Sequence, residues 1–101
     1  MACQHVGFEN GNCLVEVSPD RTAADAPAYT AFMFLIENDG HVIRPLVSRD
    51  GHRVRVRAGT EPLAIGSAIS YLEHRFGAVS QADRPISLGT ATIGHPFTVD
   101  Q

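Results

Sequence analysis

Polar and apolar residues alternate through two short runs near the amino terminus, Cys3 to Glu9 and Asn12 to Ser18, on either side of Asn10-Gly11. That dipeptide tolerates the positive φ angles of a type I′ turn, so the pattern predicts a hairpin in which Glu9 faces Asn12, Phe8 faces Cys13, Val6 faces Val15 and Gln4 faces Val17. One side of the hairpin is then largely apolar. The other carries Cys3, His5, Gly7, Leu14, Glu16 and Ser18, with His5 opposite Glu16. Pro19 to Pro27 reads as a connecting loop with room for a short helical turn around Thr22 to Ala26.

Three further β-forming runs follow, Tyr29 to Glu37, His41 to Arg49 and His52 to Arg57, separated by Asp39-Gly40 and Asp50-Gly51. With two-residue loops at both turns, Ile36 pairs with Ile43, Phe34 with Pro45 and Phe32 with Val47, while Val47 and Pro45 pair with Val54 and Val56. That face of the meander is entirely apolar. The opposite face collects Met33, Leu35, Val42 and Leu46 together with Arg44, Arg53, Arg55 and Arg57.

Thr60 is a capping hydroxyl, Glu61 complements the helix dipole in the first turn, Pro62 sits where a missing amide hydrogen costs nothing, and Gly77 is placed to end the element. Between them Ile65, Ala68, Ile69, Leu72 and Phe76 fall within an arc of about 100°, the width of a core stripe. A helix over about 60–76 is the result. Ala78 to Pro85 reads as a loop and Ile86 to Ile93 as the last strand, with a continuation past Gly94-His95-Pro96 to Val99 left open.

These elements make a single α+β domain over residues 1–101: a mostly antiparallel sheet, built from the N-terminal hairpin, the three-stranded meander and a C-terminal strand, with one main helix packed on an apolar sheet face. The face of Phe32, Phe34, Ile36, Val47, Val54 and Val56 matches the helix stripe in size and is the expected partner. A chain of 10.9 kDa buries close to two thirds of its surface on folding, enough for a core without disulfide or metal staples. Charged residues at 19 % and a mean hydropathy of -0.04 describe an ordinary globular chain and exclude disordered and membrane-spanning classes. No positive leader or long apolar run is present, so a cytoplasmic protein with reduced thiols is expected.

Candidate chemistry is sparse. Cys3-x-His5 with Cys13 resembles a partial zinc set, but the hairpin register sends Cys13 to the other face, and neither metal nor cofactor is expected. The glycines of Gly89-Thr-Ala-Thr-Ile-Gly94 have phosphate-loop separation, yet His95-Pro96 stands where lysine and a hydroxyl residue are required. His5 with Glu16 is the one acid and base pair that the register provides, and it supports a small enzyme only as an alternative.

Charge is more informative than motif. The net charge of -3 gives the whole molecule no long-range attraction for nucleic acid or an anionic membrane. All eight basic residues are arginine, however, and residues 41–57 hold Arg44, Arg49, Arg53, Arg55 and Arg57 against Asp50 alone. That segment carries +4 and the remainder -7. Arg53, Arg55 and Arg57 point the same way because strand side chains repeat every second residue. The expectation is a non-catalytic binding or assembly module that uses Met33, Arg44, Leu46, Arg53, Arg55 and Arg57, with apolar contact at the centre and arginine contacts at the edge. Its partner is expected to be a second copy in a dimer, an acidic protein or a small anionic ligand, with no membrane involved. Nucleic acid on the same face is the alternative, less favoured because Tyr29 is the one aromatic assigned there.

Overall fold

The hairpin forms, with its turn displaced. A computed structural model describes residues 2–20, 28–37, 42–82 and 92–99, and in it β1 (Ala2–Phe8) pairs antiparallel with β2 (Gly11–Pro19) through Phe8↔Gly11, Val6↔Cys13 and Gln4↔Val15. The tight turn falls at Glu9-Asn10 instead of Asn10-Gly11, a slip of two residues that keeps every side chain on its expected face. The turn is held from outside: Asn10 N–H donates to Phe76 O at 2.8 Å and Glu9 N–H to Ala78 O at 3.1 Å. Those bonds carry the chain after the helix alongside β1. Residues 79–82 accordingly form β6 (Val79–Ala82), antiparallel to β1, where the sequence suggested a loop.

β3 (Tyr29–Glu37) pairs antiparallel with β2, placing Val15 opposite Met33, Val17 opposite Ala31 and Cys13 opposite Leu35. This pairing determines where the helix goes. It makes Val6, Phe8, Cys13, Val15 and Val17 continuous with Ala31, Met33 and Leu35, the largest apolar surface on the sheet. α1 (Glu61–Phe76) buries Ala64, Ala68, Leu72 and Phe76 against it. The helix therefore lies on the face of Met33 and Leu46, opposite to the face of Phe32 and Phe34 that the sequence nominated. Its ends are as expected: Leu63 N–H donates to the Thr60 hydroxyl at 3.3 Å, and Gly77 N–H to Glu73 O at 3.0 Å.

β4 (Val42–Val47) pairs with β3 in the expected register, Phe34↔Pro45 and Ile36↔Ile43. β5 (Arg55–Ala58) does not extend the meander. It returns to β3, with Phe32↔Arg55 and Thr30↔Arg57, on the same edge that β4 occupies further along. Phe34 pairs with Pro45 and Phe32 with Arg55, so two steps on β3 correspond to ten on its partner and eight residues are looped out. Inside that excursion Val47 bridges Arg53, Ser48 N–H donates to His52 O at 2.8 Å and Val54 N–H to Leu46 O at 2.9 Å. The turn is thus one residue off the Val47–Val54 pairing expected for a two-residue loop. That single step sends Val54 and Val56 to the helix side and the arginines to the other.

The C-terminal strand runs parallel to β4, as β7 (Thr92–Ile93) and β8 (Phe97–Thr98), so the sheet is mixed. Three steps along β4, from Ile43 to Leu46, are matched by four from Ile93 to Phe97. Gly94 lies in this irregularity because a Cβ there would stand 2.8 Å from Val42 Cγ1. The strand continues to Val99, whose N–H donates to Val47 O at 2.9 Å. The order across the sheet is β6-β1-β2-β3-β4-β7, with β5 on β3 and β8 on β4. The suggested turn at Thr22 to Ala26, the Asp39-Gly40 turn and residues 86–91 lie outside the described residues.

Candidate binding face

The six residues nominated from sequence occupy three environments. Met33 and Leu46 are fully buried beneath α1 and belong to the core. Arg44 shares their face but lies at its margin. Its Nη1 is 2.9 Å from Glu37 Oε1, its Nε donates to His95 O at 2.9 Å and its Nη2 to Pro96 O at 3.4 Å, and the guanidinium sits 5.2 Å from the centroid of Phe97. Those contacts satisfy the carbonyls of the irregular stretch between β7 and β8. Arg44 fastens the C-terminal strand to β4, which is a structural task.

Arg53, Arg55 and Arg57 remain together, on the face away from the helix. Val54 and Val56 alternate with them and turn inward, Val54 being buried and Val56 half-buried against the core. Each arginine has a different setting. The Arg53 guanidinium lies over two rings, 4.6 Å from the Phe32 centroid and 4.9 Å from that of Phe34. Arg57 Nε is 2.7 Å from Asp20 Oδ2, a carboxylate that also accepts from the Thr30 hydroxyl at 3.2 Å and keeps only 12 % of its side chain exposed. Arg55 lies between them, exposed, with no carboxylate paired to it among the described residues.

Two open clefts flank Arg55. One of about 260 Å³ is lined by Ser18, Asp20, Thr30, Phe32, Arg55 and Arg57, and one of about 580 Å³ by Phe32, His52, Arg53 and Arg55. Phe32 and Arg55 belong to both. His52 borders the larger cleft from the tip of the excursion, where its Nδ1 is 3.2 Å from Asp50 Oδ2 and the Ser48 hydroxyl bonds the other oxygen of that carboxylate. The Ser48 hydrogen bond, reinforced by His52, holds the Asp50 carboxyl below the ordinary carboxylate range. Phe32 and His52 were not nominated from sequence. Phe32 is expected on the helix side, and the β2–β3 pairing places it instead on the face of the arginines.

The hairpin slip also moves the proposed acid and base pair. Glu16 stands opposite Cys3, and His5, itself buried, stands opposite Leu14, so His5 and Glu16 are diagonal rather than directly opposed. Both cysteines are free thiols. Burial, with the Glu16 carboxylate adding to it, raises the Cys3 thiol, while burial pushes Cys13 up to about 12. Neither is activated as a nucleophile. Among the described residues no group of three His, Cys, Asp or Glu side chains is placed to hold a metal, and no helix is long and apolar enough to cross a membrane.

No family model matches the chain, and no curated protein or solved structure is significantly similar to it.

Proposed function

We propose that the protein is a small non-catalytic binding module that takes up an acidic partner on the sheet face opposite the helix, through Arg53 and Arg55 with Phe32 beside them. The observation that carries this reading is the setting of Arg55: exposed between two clefts and left without a carboxylate among the described residues. Arg53 adds a second charge already oriented by its rings, so less side-chain freedom is lost when an anion arrives. Arg57 contributes less, because Asp20 neutralises it. Met33, Leu46 and Arg44 drop out of the contact surface, and the partner is met by guanidiniums around one half-buried aromatic.

Single-stranded nucleic acid is the second reading, favoured by the juxtaposition of Phe32 with three arginines that sequence had separated. It ranks lower because Arg53 already covers the Phe32 ring and because the chain outside residues 41–57 carries -7. Anisotropy titrations of labelled polyglutamate and oligothymidylate, at two salt concentrations, test both. Wild-type protein should bind polyglutamate more tightly, more weakly at high salt, and Arg53→Glu with Arg55→Glu should abolish it without loss of the folded circular-dichroism spectrum. Absence of salt-sensitive binding to either polymer overturns the proposal, and preference for oligothymidylate selects the second reading.

A further inference from the structure

We infer that β5 receives its acidic partner as an added strand: an extended segment bearing carboxylates on alternate residues, hydrogen-bonded along the edge of Arg55–Ala58 that no described strand occupies. This rests on the anion-binding reading above and adds to it the conformation and spacing of the ligand.

The first observation is topological. β5 uses one edge to pair with β3, through Tyr29↔Ala58, Thr30↔Arg57, Ala31↔Val56 and Phe32↔Arg55. Among the described residues no strand takes its other edge, whereas the corresponding edge of β4 is closed by β7 and β8. An open edge presents unpaired backbone N–H and C=O groups, the template on which extended peptides are captured.

Charge then selects the occupant. A second copy adding antiparallel through this same edge would set arginine against arginine across the new ladder, and like charges directly opposed are destabilising. An acidic strand has the reverse relation. Its alternate side chains recur at about 6.7 Å, the interval between Arg53, Arg55 and Arg57 along their own segment. Arg55 is paired to no carboxylate among the described residues and Arg53 is steadied on its two rings, so these two would meet carboxylates, while Arg57 keeps Asp20. The intervening side chains of the added strand would fall on the helix side beside half-buried Val56, which suits small apolar residues. A glutamate–valine alternation satisfies both faces at once.

The experiment uses the full chain and four labelled probes: a peptide of alternating glutamate and valine, the same peptide with alternate amides N-methylated, a peptide of equal composition with its glutamates in one block, and an oligothymidylate of equal charge. The alternating peptide should bind at least about tenfold more tightly than each of the other three. Its binding should fall about tenfold or more with Arg55→Glu, and it should slow hydrogen exchange at amides of Val54–Ala58 in the wild-type protein. Equal binding of the N-methylated peptide, or no new protection in that segment, overturns strand addition. If salt-sensitive binding that depends on Arg53 and Arg55 survives in those cases, the anion-binding reading stands alone, and if no probe binds, both fall.

Discussion

The guanidinium of Arg53 lies across the ring of Phe32, 4.6 Å from its centroid, and reaches Phe34 at 4.9 Å. The excursion between Leu46 and Val54 produces this contact by bringing Arg53 opposite Val47. A cycle of Arg53→Gln, Phe32→Leu and the double variant, measured by urea unfolding, should return a coupling of about 0.5–1 kcal/mol. Simple additivity would show that the stack does not persist in solution.

Arg44 separates structure from binding. Replacing it with alanine removes a charged hydrogen bond to His95 O and the contact with Phe97, and should cost about 1–3 kcal/mol. Hydrogen exchange should accelerate first at Gly94 and Val99, whose amides bond to β4. Glu37→Gln leaves the carbonyl contacts in place and should cost less than about 1 kcal/mol. Anion binding by Arg44→Ala should match that of the wild type under conditions where both are folded; its loss would return Arg44 to the binding face.

Cys13 makes a prediction in alkaline solution. Burial pushes its thiol up to about 12, above the ordinary value of 9.0, so the unfolded chain releases this proton first as pH rises. Its contribution is complete below pH 9.0 and is lost between there and about 12, at a slope approaching about 1.4 kcal/mol per pH unit. Stability measured against Cys13→Ala should show this difference only above pH 9.0. The same burial should keep Cys13 unreactive toward a disulfide reagent at neutral pH while the exposed Cys3 reacts; fast labelling of both thiols in the folded protein would contradict it.

Gly77 ends α1 at φ +87°, and a Cβ there would meet Glu9 Oε2 at 2.8 Å and Glu9 Cβ at 3.1 Å. Gly77→Ala should therefore destabilise by about 1–3 kcal/mol and loosen the docking of the Glu9-Asn10 turn on the helix end. Gly59→Ala, with open space around it and no positive φ, is the matched control and should change thermal stability little. Equal melting temperatures for the two variants would rule out this account of the helix end.

Local chemistry was readable wherever it acts over short range. Thr60, Pro62 and Gly77 delimit the helix without help from the rest of the fold, and the Phe34–Pro45 and Ile36–Ile43 register is the one expected from a two-residue loop at Asp39-Gly40. The hairpin kept its faces despite the two-residue slip because side-chain period and slip are both even. Two questions depended on distant partners. Both faces of β3 are apolar, and only its pairing with β2 tells which one the helix covers, since the valines of the hairpin then extend the Met33 side. Likewise Asp50-Gly51 does occupy a turn, with Gly51 at φ +87°, but the return of β5 to β3 is decided by competition for an edge that no local pattern records. The nominated residues come from two sides of the sheet for these reasons, and Arg53, Arg55 and Arg57 stay together because they alternate along one segment, whereas Arg44 stands on β4.

The detour between β4 and β5 behaves like a reading frame. Where a change of length there shifts β5 against β3 by two residues it leaves valines inward and guanidiniums in water, whereas a shift of one rotates the strand, burying Arg55 and Arg57 under α1 and turning Val56 out to solvent. The size of the protruding tip, and with it the reach of His52 over the larger cleft, can therefore vary wherever β5 keeps that frame on β3.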